Sequence, residues 1–247
     1  IDKFKKIVIK IGSSILIDEK GKPKKIWLKE FARDIKILLK KKKQIVIVSS
    51  GAIAMGCEYL KIKKNDVTIT TLPISYSFGL SILNSYFHSG ATIVVNNKSI
   101  VSRDFWAIIK SNKVTSISGV PYIFELLDKL GFFKKSYPNL KTITQAGGRL
   151  KSDLKKKMLN YSIANNIDFF VMYGQTEATA RISYVPPSIL ANKIDSIGIP
   201  IPDTKLSIDS MDLKEGELVL EGKNVSMGYA VDYQDLSKGD ENNGRLK

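Results

Sequence analysis

From Thr68 to Met172 the chain alternates short runs rich in β-branched residues with helix-length amphipathic stretches, and that alternation leaves few folds open. Strand-like runs lie near 68–72, 92–95, 114–118, 141–145 and 168–172. Helical spacing fills the gaps near 78–88, 102–112, 120–130 and 150–165. Strands that alternate with helices predict a mainly parallel sheet, because parallel neighbours need a crossover between them. After Pro186 the chain is punctuated by proline and glycine, with short strands near 205–209 and 216–221. That predicts a β-rich end on an α/β body.

The first 62 residues form a separate pattern. Ile7 to Ile11 reads as a strand, 18–25 as a loop, and 26–42 as a helix with Trp27, Phe31, Ile35 and Leu38 at helical spacing. Gln44 to Val48 is a second strand, and Ser49-Ser50-Gly51 turns into a small-residue helix ending near Leu60. The fold class is therefore α/β, with partial parallel or mixed sheets and flanking helices. A βαβα unit over 1–62 precedes an α/β core over 63–185 and a β-rich end over 186–247.

Charge narrows the partners. The net charge is +15, and residues 1–66 carry +11 of it. Such a balance suggests nucleic acid or an anionic surface. Only five of the 39 basic residues are arginine: Arg33, Arg103, Arg149, Arg181 and Arg245. Base readout and bidentate phosphate contact favour arginine, so nucleic acid is set aside. Lys40 to Lys43 close a helix, where cations complement its dipole. The single cysteine, Cys57, excludes an internal disulfide and suits a reducing, cytoplasmic setting. No apolar run reaches transmembrane length. With His88 the only histidine, a His-based triad and a Cys/His zinc cluster are both excluded.

Three segments carry candidate chemistry. Tyr173-Gly174-Gln175-Thr176-Glu177-Ala178-Thr179 follows the buried-strand pattern Phe169-Phe170-Val171-Met172. It offers a ring for a base, a glycine for close approach, a hydroxyl for phosphate and a carboxylate for Mg²⁺. Glu177 falls just past a strand end, where parallel sheets bind ligands. Gly147-Gly148 also follows a strand and permits close backbone approach. At the other end, Lys10 sits among apolar neighbours and is followed by Gly12-Ser13-Ser14, while the second strand runs into Ser50-Gly51-Ala52. In a parallel unit those two loops share one sheet edge and could hold an anion. Equally, Ser50 reads as an N-cap and Gly51 as a tight turn. Tyr76 and Phe78 read equally well as core aromatics, and Arg149 reads as a surface helix residue.

Ile9-Lys10-Ile11-Gly12-Ser13-Ser14, followed by Val48-Ser49-Ser50-Gly51-Ala52-Ile53-Ala54-Met55-Gly56, resembles the opening of the glutamate 5-kinases in the amino acid kinase family. The resemblance implies that Lys10, Gly12 and Ser13 meet ATP phosphates and that Ser50, Gly51 and Ala52 lie at the amino-acid substrate. It covers about the first 62 residues. The family's acidic substrate segment and second lysine with its nucleotide loop are not found, so no kinase activity is expected. Phosphoryl transfer needs the full set of charges around the phosphates.

From about residue 66 onward the chain resembles the acyl-adenylate-forming, AMP-binding synthetases and ligases. The matching segments occur in order: Ile69-Thr70-Thr71-Leu72-Pro73, Tyr76-Ser77-Phe78-Gly79, Ser118-Gly119-Val120-Pro121, Gln145 to Leu150, Tyr173 to Thr179, Gly198 to Pro202, Gly216-Glu217-Leu218 and Asn224 to Tyr229. The resemblance implies ATP or AMP and Mg²⁺ as ligands, a small-molecule carboxylate as substrate and CoA as co-substrate of the intact family. It places Gly147 and Gly148 at adenine, Tyr173 with Gly174 and Gln175 around the base, Thr176 at a phosphate and Glu177 on Mg²⁺. It also sets Tyr76, Phe78, Gly119 and Val120 around the acyl group. The family's Ser/Thr/Gly-rich phosphate loop, ribose-binding Asp and adenylation lysine are not found, so weak or absent turnover is expected. The two resemblances meet near 58–66, which reads as a chimera of a kinase-like start and an incomplete adenylate-forming large domain. Two other readings stand beside this one: a glutamate 5-kinase-type fragment acting on ATP and L-glutamate, and a nonenzymatic protein that binds nucleotide or, through its charge, nucleic acid.

Overall fold

The computed structural model describes residues 5–11, 24–49, 60–210, 215–232 and 234–247. The chain divides into two compact units, Ile1–Ile62 and Lys63–Lys247.

In the first unit, strands β1 (Lys6–Ile11) and β2 (Gln44–Ser49) pair in parallel with Ile7 opposite Ile45 and Ile9 opposite Ile47. Both are Ile/Val runs, which suit a pleated sheet. Helix α1 (Lys25–Lys40) connects them. Its half-buried side is Trp27, Phe31, Ile35 and Leu38, with the Trp27 and Phe31 rings stacked 5.2 Å apart. The helix stops two residues before the expected Lys42, because Lys42 turns into the left-handed region (φ 56°) and its N–H bonds back to the Leu39 carbonyl. Gly12, Ser13, Ser50, Gly51, Ala52 and Cys57 lie outside the described residues, as does the small-residue helix expected before Leu60.

The second unit is built on a seven-stranded sheet in the order β4-β3-β5-β6-β7-β8-β9. The strands are β3 (Val67–Ile69), β4 (Thr92–Val94), β5 (Ser116–Gly119), β6 (Thr142–Gln145), β7 (Asp168–Tyr173), β8 (Ser183–Val185) and β9 (Ile199–Pro200). β3 to β7 are parallel, and β8 and β9 run antiparallel to their neighbours. Helices α2 (Ser77–His88), α3 (Arg103–Ser111), α4 (Pro121–Lys129) and α5 (Ser152–Ala164) follow β3, β4, β5 and β6 in turn.

The strand sequences explain the two faces. Thr68-Ile69-Thr70, Ser116-Ile117-Ser118 and Thr142-Ile143-Thr144 alternate with period two, so isoleucines face one way and hydroxyls the other. Ile69, Ile117, Ile143 and Phe169 are each 1% exposed and join one core with Phe105 and Ile109 of α3, Phe124 and Leu127 of α4, and Met158 of α5. The opposite face carries buried Thr68, Ser116, Ser118 and Thr144, with the Thr144 hydroxyl donating to Ser118 Oγ at 2.7 Å. Tyr86 of α2 sits on this hydroxyl face beside Ser116 and Thr68. Past the main sheet, β10 (Thr204–Asp209), β11 (Glu217–Gly222) and β12 (Arg245–Leu246) form a small antiparallel sheet. β9 lies on the large sheet, although its residues fall in the stretch expected to form the β-rich end.

Candidate nucleotide site

β3 lies second from one edge of its sheet. The chain leaves it toward β4 on one side and returns to β5 on the other. That reversal is a topological switch point, and ligands of open α/β sheets lie outside the strand carboxyl ends at such points. The Thr71 hydroxyl donates across it to the Ser118 carbonyl. The carboxyl ends of β5 and β6 lead into Val120 and Gly147-Gly148, β7 ends at Tyr173 before Gly174 to Glu177, and the loop after β3 reaches Tyr76. The parallel topology therefore brings the expected site segments to one edge.

Gly147 lies in the left-handed region at φ +75°, and a Cβ there would stand 2.5 Å from Tyr76 Oη and 2.8 Å from Val120 Cγ1. Gly147 thus lies against two other expected site residues, although 44 and 27 positions separate neighbours in sequence. Gly147, Gly148 and Arg149 are exposed. Phe78 is 2% exposed and meets Tyr76 edge to face at 6.4 Å, while Gly119 is buried with Ile123 and Phe124 against its Cα. Both face the core, and Tyr76 and Val120 are the members of that expected set left at the surface edge. A cavity of only about 10 Å³ beside β3 is lined instead by Thr68 to Leu72, Gly79, Ile82, Leu83 and Ile93.

The segment after β7 folds back on itself. A Cβ on Gly174 would fall 1.7 Å from the Ala180 carbonyl oxygen, so only glycine permits this approach. A short 3-10 turn over Thr176–Ala178 follows, and Thr179 and Ala180 both adopt positive φ (54° and 73°) before Ile182 N–H bonds to the Tyr173 carbonyl at 2.9 Å. Two consecutive left-handed residues without glycine store strain, which persists where surrounding contacts impose it. Those contacts come from afar. Asn224 Nδ2 donates to the carbonyls of Ala178 (3.1 Å) and Arg181 (3.3 Å), and Ser226 N–H to that of Glu177 (2.7 Å). Tyr173 packs with Leu206 and Val225 on a small cluster of Ala178, Ile182 and Leu220, so the small sheet supports its ring.

The functional groups point outward. Thr176 is exposed, and its hydroxyl shares a hydrogen bond with Ser77 Oγ at 3.0 Å. Tyr229 Oη donates to Glu177 Oε1 at 2.5 Å. That bond, followed by one from the backbone, holds the Glu177 carboxyl below its ordinary value and raises the Tyr229 hydroxyl. An ionised, partly exposed carboxylate suits a hard cation such as Mg²⁺. Among the described residues no three His, Cys, Asp or Glu side chains gather as a metal site. A divalent ion here would therefore take phosphate oxygens along with Glu177.

Ser77, Asn224, Ser226 and Tyr229 are contributors that sequence reasoning gave no role. Asn224 to Tyr229 stood out as a segment, but nothing local ties it to a loop some fifty residues earlier. Of the kinase-like set, Lys10 lies in β1 opposite Val48, and the other five residues lie outside the described ones.

Residues 43–230 match the family described as AMP-binding enzyme. That match begins at β2, within the stretch the sequence assigned to the kinase resemblance. The chain is 29% identical over 180 residues to 2-succinylbenzoate–CoA ligase of Staphylococcus aureus (strain MSSA476), covering 72% of this chain and 35% of the relative. It is 39% identical over 127 residues to glutamate 5-kinase of Pelagibacter ubique (strain HTCC1062), covering 51% of this chain and 33% of that protein. This second match is about twice as long as the first unit. The chain thus spans about a third of the length of these curated relatives. Among solved structures, o-succinylbenzoate CoA synthetase from Bacillus subtilis bound to AMP superposes with a TM-score of 0.65 at 25% identity, over 79% of this chain and 40% of that one. Its complex with the acyl-adenylate intermediate OSB-AMP gives 0.66 at 24% identity, with the same coverage.

Proposed function

The chain belongs to the AMP-binding enzyme family, and on that premise we propose that its second unit is the nucleotide-handling part of an acyl-adenylate-forming ligase of the acyl-CoA synthetase kind. The observation that carries this reading is the shared edge: Gly147-Gly148 follow β6, Tyr173 ends β7, and Thr176 and Glu177 come just after it, all at the carboxyl edge of a parallel sheet whose strand order reverses between β3 and β5. In this reading the exposed Gly147-Gly148 backbone accepts the adenine at close range, and the Tyr173 ring, supported from the small sheet, stacks on it. The Thr176 hydroxyl meets the α-phosphate, and the Glu177 carboxylate anchors the Mg²⁺ that neutralises the phosphates. The chemistry is attack by a substrate carboxylate oxygen on the α-phosphorus. A phosphorus–oxygen bond forms, the bond to pyrophosphate breaks, and pyrophosphate leaves with its charge. A CoA thiol, losing its proton, would then displace AMP from the acyl carbon. Charge stabilisation at phosphorus is the main demand on the protein. The sequence between β2 and β3 lacks the family's phosphate-loop pattern, so we expect nucleotide binding to exceed turnover.

The 39% identity to a glutamate 5-kinase favours a second component. We infer that the first unit derives from an amino acid kinase and that the chain is a chimera of the two families. The parallel β1–β2 pair with α1 between them agrees with such an origin.

Calorimetry with AMP and with ATP, each with and without Mg²⁺, tests the leading reading. Both nucleotides should bind, and Glu177→Ala should abolish the Mg²⁺-dependent part while leaving AMP binding largely intact. Absence of binding, or Mg²⁺ dependence untouched by the substitution, would sink it.

A further inference from the structure

Glu177 is held twice by one distant segment, and the second hold is on its side chain. Ser226 N–H bonds to the Glu177 carbonyl, and Tyr229 Oη to its carboxylate. Tyr229 is 72% exposed, so burial of its ring does not account for its place. The segment carrying it is itself buttressed. Glu241 N–H bonds to the Met227 carbonyl at 2.7 Å, Asn242 Nδ2 to that of Ser226 at 2.8 Å, and Gly228 packs its Cα against Glu241 at φ +146°. A phenol delivered by so braced a turn meets a carboxylate whose backbone is braced by the same turn.

We propose that Tyr229 is a positioning residue for the metal-binding carboxylate: its hydroxyl occupies Oε1 of Glu177 and presents Oε2 to the divalent cation that accompanies the nucleotide. The inference rests on the nucleotide-site reading of Thr176 and Glu177. The physical basis is preorganisation. A glutamate side chain that must hold one geometry gives up rotamer freedom on binding a metal. A charge-assisted hydrogen bond made beforehand removes part of that cost from the binding step. The phenol is the donor, so it adds no competing negative charge at neutral pH. It also leaves the second carboxylate oxygen unblocked, where a lysine in its place would neutralise the ligand.

The test is Mn²⁺ titrated into the 247-residue chain, followed by paramagnetic broadening of backbone amide resonances, first alone and then with ATP. In the wild type, broadening should centre on residues 174–182. Tyr229→Phe removes only the hydroxyl and should raise the Mn²⁺ midpoint about tenfold, the usual scale for a hydrogen bond to a charged group. The amide shifts of Asn224 and Ser226 should stay in place, and Glu177→Gln should abolish the site. An unchanged midpoint in Tyr229→Phe overturns the proposal, as does broadening centred elsewhere. So does a loss accompanied by undocking of residues 224–229, since that assigns Tyr229 a merely structural role. If Mn²⁺ binding depends on Tyr229 but AMP and ATP do not bind, the nucleotide reading fails, and what stands is Tyr229 as the positioning residue for a cation on Glu177 alone. If the nucleotides bind and Tyr229→Phe changes nothing, the reverse holds.

Discussion

Two glycines of nearly equal φ allow the site to be separated from the strain. Gly131 has φ +69° and open space where a Cβ would go, whereas Gly147 has φ +75° and meets Tyr76 Oη and Val120 Cγ1 at 2.5 and 2.8 Å. An L-residue in the left-handed region costs about 1–2 kcal/mol. Gly131→Ala should therefore lower stability by about 1 kcal/mol and do nothing else. Gly147→Ala adds a steric term. Overpacked positions typically lose about 1–3 kcal/mol, and here the half-buried Tyr76 ring can swing away, while Val120 is fixed between β5 and α4. The lower half of that range applies, for a total of about 2–3 kcal/mol. Urea unfolding followed by Trp106 fluorescence reads both, in a Trp27→Phe background so that the first unit is silent. Trp106 packs on Phe105, Phe132 and Tyr137 in the core of the second unit and reports its loss. In calorimetry, Gly147→Ala should weaken AMP by tenfold or more, equivalent to about 1.4 kcal/mol, because the methyl displaces Tyr76 and shifts the loop proposed to meet adenine. Gly131→Ala should leave AMP affinity alone. Equal stability losses with equal AMP affinities would refute both the contact and the placement of the nucleotide.

Two pH effects follow from the same packing. Burial on the hydroxyl face pushes the Tyr86 phenol up to about 12, against the lowering hydrogen bonds of Ser116 and Thr68. A raised folded value means its contribution is intact below the unfolded value near 10 and is lost as pH rises through 12. The full loss is about 3 kcal/mol, and phenolate absorbance in wild type against Tyr86→Phe should show the late-titrating signal shrink by one phenol, with that of Tyr137 remaining. Asp195 is the opposite case. Ser152, and then Lys155, hold its carboxyl below the ordinary range, with the Ser152 hydroxyl at 2.5 Å and Lys155 Nζ at 3.1 Å. Its contribution is present above the unfolded value near 3.9 and is lost as pH falls through the lowered one. Acid unfolding of Asp195→Asn should lack that component, as read by thermal melts at successive pH values.

The sequence made the sheet legible because its strands repeat one physical pattern. Thr-Ile-Thr, Ser-Ile-Ser and Thr-Ile-Thr each put an isoleucine on the face that α3, α4 and α5 cover, and the expected strands coincide with β4 to β7 within two residues, while β3 ends three residues before the expected 72. Once the sheet is parallel, chain direction places every β–α loop on one edge, so Gly147 and Glu177 could be assigned to a common edge without coordinates. The short strands were less legible. β9 is two residues long and contains Pro200, which gives no strand signal, yet Ile199 pairs with Tyr184 in the main sheet. Left-handed Thr179 and Ala180 carry no glycine to announce them.

What escaped the sequence has a common cause: a hydrogen bond across a fold obeys no spacing rule. Ser77 and Thr176 are 99 positions apart, and Glu177 and Tyr229 are 52 apart. Yet each pair restrains a group that local pattern had already singled out. The hook after β7 was readable as a set of residue types because its own seven residues supply the chemistry. Its geometry comes from elsewhere. Strained φ values at Thr179 and Ala180 are costly in an isolated loop, and Asn224, Ser226 and Tyr229 provide the bonds that offset that cost. The small antiparallel sheet is thus more than an appendage to the α/β body: its loops fix the direction in which Thr176 and Glu177 point. A chain with the hook sequence but without the 222–229 turn would keep Thr176 and Glu177 and lose their aim.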